Sequence, residues 1–252
     1  MLRILLALVL LAFPANAQEE VVADLSQNRV SITANFDGTG ILIFGAVKRV
    51  APPPDTGPLQ VIVAITGPAH AVTVRRKERT FGIWVNRDAV TIDSAPAFYA
   101  VASTGPLSEI LSEAEDLRYK ISIGRQIRSV GNAEVRNAEE FTEAVVRIRH
   151  NNGQYSEKGG LVKLIDETLF QTHVALPSNL VEGEYSTRIY LVRDKRVVDE
   201  YDTVISVQKV GLERWIYNLA HQMPLVYGLL SLAIAIAAGW LASSIFRLLR
   251  LN

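Results

Sequence analysis

Residues 224–246 read PLVYGLLSLAIAIAAGWLASSIF, 23 residues without a charge. Wound as an α-helix at ~1.5 Å per residue, the run reaches about 34 Å, enough to cross ~30 Å of hydrocarbon with some tilt. A helix pairs every backbone donor and acceptor within itself, which lipid requires. Pro224 suits the first turn, where its missing N–H costs nothing. Tyr227 and Trp240 are amphipathic rings placed to anchor near the two interfaces. Arg247 and Arg250 follow in a short tail, 247–252, and positive charge beside a span stays cytoplasmic. The competing reading is a buried core helix, but such helices rarely run this long with no residue more polar than Ser.

Small residues mark two faces of this span. Ala235, Gly239 and Ser243 recur at i, i+4, i+8, and Gly228, Ser231, Ala235, Ala238 and Ala242 form a second, overlapping set. Small side chains let helix backbones approach closely, which favours a homodimer or docking on an integral-membrane transporter. Alanine is also common in membrane helices, so composition alone leaves association open.

Just before the span, residues 211–223 carry Leu212, Trp215, Ile216 and Leu219 at i, i+3, i+4, i+7, a helical apolar stripe. An amphipathic turn lying at the headgroups accounts for it, with Trp215 and Tyr217 as ring anchors and His221 bonding headgroups. The sharper alternatives are a docking surface for a membrane partner and, for His221, titration near neutral pH.

At the other end, residues 1–17 read as a signal peptide. Arg3 precedes ten apolar residues at 4–13, Pro14 breaks the run, and Ala15-Asn16-Ala17 is an A-x-A site, so cleavage falls before Gln18. Ten apolar residues are too few to span a bilayer. Both ends therefore predict a bacterial inner-membrane protein with a single pass, its bulk in the periplasm and its C-terminus cytoplasmic.

The body between is read as mainly β, an immunoglobulin-like β-sandwich ectodomain with a helical middle segment. Residues 18–104 form one β-sandwich region, 105–158 a helical segment, and 159–210 a second sandwich or the completion of the first. Val30 to Ala34 and Ile41 to Phe44 flank Asp37-Gly38-Thr39-Gly40, a cluster suited to a hairpin turn. Prolines at 52, 53, 54 and 58 place a loop over 51–58, because proline cannot donate to a ladder. Further short runs at 59–66, 71–74, 81–85, 89–92 and 97–101, split by turn residues, indicate a sandwich rather than a βαβ sheet. Residues 106–119 predict a helix with Leu107, Ile110, Leu111 and Leu117 apolar. A better signalled helix starts from an Asn137 cap with Glu140 in the capping-box position, buries Phe141, Ala144, Val145 and Ile148, and ends at Asn151-Asn152-Gly153. Strands resume at 161–165, 169–175, 185–192 and 197–207, with Asp194-Lys195 as a tight turn. The segment from Leu180 to Tyr185 is similar to the corner of immunoglobulin-like sandwiches in which a Tyr hydroxyl bonds back to backbone.

Chemistry is sparse. With 26 acidic and 26 basic residues the chain is neutral overall, and Arg3, Arg247 and Arg250 lie in the terminal segments, so the body is slightly acidic and carries no footprint for nucleic acid. There is no cysteine, which removes thiol catalysis, thiolate metal sites and disulfides. His70, His150, His173 and His221 show no i, i+2 or i, i+4 pairing, so no short metal box exists. No nucleophile elbow, zinc-protease or phosphate-loop motif occurs, and the expectation is a protein that is not an enzyme and has no cofactor. Arg75-Arg76-Lys77-Glu78-Arg79 is a compact basic run able to meet anionic headgroups or an anionic ligand; interrupted by Glu78, it reads more simply as a solvated turn between strands. Trp84 is either a core plug or a half-exposed platform, and sandwich cores commonly use such a Trp. Phe98-Tyr99 is similarly ambiguous.

Residues 211–228 (GLERWIYNLAHQMPLVYG) and 237–247 (AAGWLASSIFR) resemble the C-terminal signature of an uncharacterised family of alphaproteobacterial transmembrane proteins. Residues 24–47 (DLSQNRVSITANFDGTGILIFGAV) and 79–90 (RTFGIWVNRDAV) look like the same family, so the resemblance covers nearly the whole chain. It implies an exported domain with one C-terminal span and brings no catalytic residues. Members of that family look often to be encoded near permeases of the sulfite-exporter type, an association that suggests an accessory or interaction module for such a transporter. The alternative is a periplasmic ligand-binding or sensor module of the envelope, with its site on loops such as 50–59 or 75–80.

Overall fold

The computed structural model describes residues 19–33, 35–49, 57–128 and 138–250. The expected signal peptide, the proline loop over 51–56, the Asn137 cap and the side chains of Leu212, Arg247 and Arg250 lie outside the described residues. The chain divides into two units, one of Met1–Val30 with Asp37–Val207, the other of Ser31–Phe36 with Gln208–Asn252.

The first unit is a β-sandwich. One sheet is antiparallel, built from β1 (Glu19–Leu25), β3 (Thr39–Arg49), β10 (Leu169–Leu176) and β9 (Lys163–Ile165), in the order β1-β3-β10-β9. The other holds β2 (Arg29–Ile32), β12 (Arg196–Lys209), β11 (Gly183–Arg193), β4 (Gln60–Thr66), β7 (Tyr99–Ser103) and β8 (Tyr155–Gly159), in the order β2-β12-β11-β4-β7-β8. Strands from before and after the helical segment thus share both sheets. The first sheet alternates strictly: Ile41, Ile43 and Val47 turn inward, while Leu42, Phe44 and Lys48 turn out. In the second, Val61-Ile62-Val63-Ala64-Ile65 is buried on both faces. A strand covered on both sides has no reason to alternate, and an unbroken apolar run is the sequence consequence. Val61, Val63 and Ile65 turn toward the first sheet. Ile62, Ala64, Tyr99, Val101 and Tyr190 turn the other way, onto Ile110, Leu111 and Ile121 of the helical segment.

That segment holds α1 (Leu107–Ile110), α2 (Glu113–Tyr119), α3 (Ile123–Gln126) and α4 (Ala138–Asn151). The single helix expected over 106–119 is two helices. Leu111 is extended, and Ser112 starts α2 by accepting a hydrogen bond from the Glu115 N–H at 3.4 Å. Leu117, expected to be apolar and inward, is exposed. Lys120 ends α2 in the left-handed conformation, and Asp116 accepts from the Ile121 and Ser122 N–H groups at 3.1 and 2.7 Å, locking the exit. In α4, Phe141 and Val145 are buried as expected and Ile148 is exposed. β8, which lies in the expected helical segment, pairs parallel with β7.

Two further strand expectations change. Asp37 to Gly40 closes no hairpin: β2 and β3 lie in different sheets, so the turn cluster serves a crossover. Residues 71–92 are not several short strands but most of a two-stranded arm, β5 (Ala69–Thr80) against β6 (Ile83–Pro96). Arg75 to Arg79 is therefore strand, not turn. Trp84 is on the surface, 69% exposed, rather than in the core. Phe98 and Tyr99 are buried. The Asp194-Lys195 turn is as expected, with both residues at positive φ (51° and 63°), the twist a two-residue hairpin needs.

In the second unit, α5 (Leu212–Gln222) precedes α6 (Pro224–Arg250). Met223 between them has φ −134° and ψ 64°, as the residue before a proline is kept from helical backbone. Every described side chain from Met223 to Ser243 is exposed.

Candidate functional site

The residues singled out as membrane or partner contacts lie on two consecutive helices. On α5, Trp215 and Tyr217 are 55% and 62% exposed. Tyr217 and His221, one turn apart, stack with ring centroids 4.0 Å apart, and His221 Nδ1 lies 2.9 Å from the Tyr217 carbonyl oxygen. His221 is thus tied into its own helix. On α6, Tyr227 and Trp240 are exposed, separated by 13 residues or ~20 Å along the axis. Ala235, Gly239 and Ser243 line one exposed stripe, and a Cβ added at Gly239 would meet nothing within 4 Å. The stripe is open to a neighbouring helix.

A surface that loop-based reasoning missed lies on the outer face of the four-stranded sheet. Registry places Val22, Ala46, Leu169 and Ile165 in one row across β1, β3, β10 and β9. Val22, Leu169 and Ile165 are each more than half exposed, and Leu42 and Phe44 of β3 extend the patch. With Tyr201 they line an open groove of about 840 Å³. The signal was present in the alternation of β3, where both phases are apolar: Ile41 and Ile43 inward, Leu42 and Phe44 outward. A sheet face meant only for water would carry polar residues there. Of the loops expected to hold a ligand, 50–56 lies outside the described residues and 75–80 is strand.

The arm is the third exposed feature. Its base is held by α4: Val72, Val74 and Ile92 pack with Val145. Arg76 bonds Asp88 and Glu140 at 2.8 and 3.1 Å and lies over the Phe141 ring, 5.3 Å from its centroid. The hydrogen bond that Arg76 donates to Asp88, with the neighbouring carboxylates, raises the guanidinium pKa. Beyond that clamp, every residue from Lys77 to Asn86 except Thr80 is exposed.

A buried charge cluster has a structural role. Glu19 of β1 receives hydrogen bonds from Arg193 at 2.8 and 3.1 Å and from Arg49 at 2.7 Å, with Glu167 3.3 Å from Arg193. Burial alone pushes the Glu19 carboxyl up, but the bonds and charges of the two arginines outweigh it and hold the pKa below its ordinary value. Because Arg193 is on β11 and Arg49 on β3, the cluster ties one sheet to the other. The buried tyrosines are likewise used as bonds: Tyr99 donates to the Ile121 carbonyl at 2.5 Å and Tyr155 to that of Pro96 at 2.8 Å. Burial raises both phenol pKa values. Among the described residues no three His, Asp or Glu side chains gather as metal ligands, although His150 and His173 line one cavity.

A family model described as "Putative transmembrane protein" (Alph_Pro_TM) matches residues 20–248, covering both the sandwich and α6. No curated protein matches the chain.

Proposed function

The chain belongs to this family of transmembrane proteins, and from that membership we propose that it is a non-enzymatic accessory module for an inner-membrane transporter, held by α6 with the sandwich in the periplasm. The observation that carries the reading is α6 itself: 23 uncharged, mostly apolar residues, Pro224–Phe246, none of them buried within the protein. A long apolar helix with no protein cover takes lipid or another membrane helix as its partner. Trp215 and Tyr217 on α5 supply contacts at the interface, and Ala235, Gly239 and Ser243 supply the close-approach stripe. A permease of the sulfite-exporter type is the transporter the family resemblance suggests. A photo-crosslinking residue at Trp215 should trap an integral-membrane permease identifiable by mass spectrometry; adducts with lipid alone would refute the reading. Gly239→Leu should abolish co-purification of that permease while leaving membrane insertion intact.

The groove on the four-stranded sheet favours a second reading, a periplasmic binding or sensor module for an apolar ligand. Thermal-shift screening of the full chain in detergent would separate the two, because a ligand raises the unfolding midpoint by mass action. Filling the groove face with charge, as in Leu169→Glu, should remove any such shift.

A further inference from the structure

We propose that the tip of the β5–β6 arm is a second membrane contact, inserting its apolar turn into the headgroup layer of an anionic bilayer. Four observations converge on it. The turn presents Phe81, Ile83 and Trp84 at 103%, 66% and 69% exposure, so three large apolar side chains stand in water at the end of a projecting hairpin. Phe81 holds φ +51° and Gly82 φ +87°. Positive φ is costly for a bulky aromatic residue, and Asn or Gly would close the same turn at less cost. Strain of this kind persists where the side chain serves something other than folding.

The charge pattern identifies the partner. Arg75, Lys77 and Arg79 alternate along β5 and so share one face, on which Trp84 lies directly opposite Arg79 and Asn86 opposite Lys77. The other face carries Val74 and Arg76, which α4 and its Glu140 engage. Lys77 and Arg79 are therefore turned away from the arm's support, Arg75 borders the groove beside α4, and none of the three cations makes an ion pair with a described residue. Cations behind an aromatic tip are the arrangement an anionic lipid surface recognises: rings settle among the headgroups and the basic side chains reach phosphates. The span at α6 keeps the arm at high effective concentration near lipid, so a weak insertion suffices. Each cation near such a surface favours binding about fivefold, and the three together on the order of 100-fold.

The absence of native cysteine makes the test direct. The full chain carrying Ile83→Cys, labelled with an environment-sensitive fluorophore, is reconstituted in phosphatidylcholine vesicles with or without an equal share of phosphatidylglycerol. The expected result is a blue-shifted emission, quenched by spin-labelled lipid, only where phosphatidylglycerol is present. A label at Thr73→Cys, eight residues before the turn and ~26 Å back along the strand, should stay aqueous throughout. Replacing Arg75, Lys77 and Arg79 by Gln should lower the inserted fraction on the order of 100-fold. Phe81→Asn should abolish insertion while raising the unfolding midpoint, which separates loss of contact from loss of fold. Aqueous emission from Ile83→Cys in both lipids, or a shift that is equal in neutral vesicles or survives the Gln substitutions, overturns the proposal. It rests on membrane anchoring alone; the vesicles hold no transporter, so its failure and that of the accessory-module reading are distinguishable.

Discussion

Glu19 shows how one side chain can join two layers. Its carboxylate is 3% exposed and engages arginines that belong to different sheets. Two charges buried with good geometry add little over an apolar pair, whereas removing one partner leaves the others uncompensated. Glu19→Ala should therefore destabilise the sandwich by about 3 kcal/mol, measured by urea unfolding of the detergent-solubilised chain. The pH dependence has a definite sign. The folded-state pKa lies below the ordinary 4.5, so the contribution is complete above that value and is lost as pH falls through the lowered pKa. Unfolding midpoints compared at pH 7 and pH 3 should drop more for the native chain than for Glu19→Gln. Tyr185 works at the same scale. Its hydroxyl donates to the Val181 carbonyl at 2.8 Å, the corner bond expected from the sequence, and burial pushes its pKa up to about 12. Tyr185→Phe should cost about 1 kcal/mol without altering the fold.

At the scale of the element, β3 is the informative strand. It pairs with β1 on one side and β10 on the other, so it is central to its sheet and has no free edge. Gly45 in its middle is a packing requirement: a Cβ there would lie 2.6 Å from Phe170 Cζ and 2.6 Å from the Val22 carbonyl oxygen. Gly45→Val, although favourable by strand propensity, should lower stability by about 1–3 kcal/mol through overpacking, readable as a reduced unfolding midpoint. The arm behaves oppositely. Its tip is exposed from Lys77 to Asn86 save Thr80, so substitutions at Phe81, Ile83 and Trp84 should leave the sandwich core intact. The break between α5 and α6 is equally local, set by Pro224 acting on Met223.

For the molecule as a whole, the predicted organisation is a sandwich on one side of a membrane and a short basic end on the other. A tag at the C-terminus should survive protease treatment of spheroplasts while the sandwich is digested. Digestion of the tag from outside would reverse the orientation. If Arg247 and Arg250 set the orientation as expected from the sequence, replacing both by Glu should increase the externally accessible tag.

Local chemistry carried much of this architecture. The apolar helix, the break at Pro224, the Asp194-Lys195 turn, the Tyr185 corner and the α4 stripe each depend on residues adjacent in sequence or one helical turn apart. Their signals are complete within a short window. Pairing is different, because a strand's partner is chosen by burial across the whole fold. Asp37 to Gly40 has turn chemistry whether it joins two paired strands or crosses between sheets. Residues 75–79 are polar enough for a loop, yet the cross-strand ladder to β6 holds them extended. Trp84 has apolar neighbours in sequence, but only the reach of the arm beyond α4 leaves it in water. The outer row from Val22 to Ile165 likewise exists only once four strands are in register. Most helices, strands and the membrane-compatible run were written locally, with residues 75–79 and 155–159 as exceptions; which faces meet and which stay open was set by the fold, because burial is a property of the assembled layers rather than of any one segment.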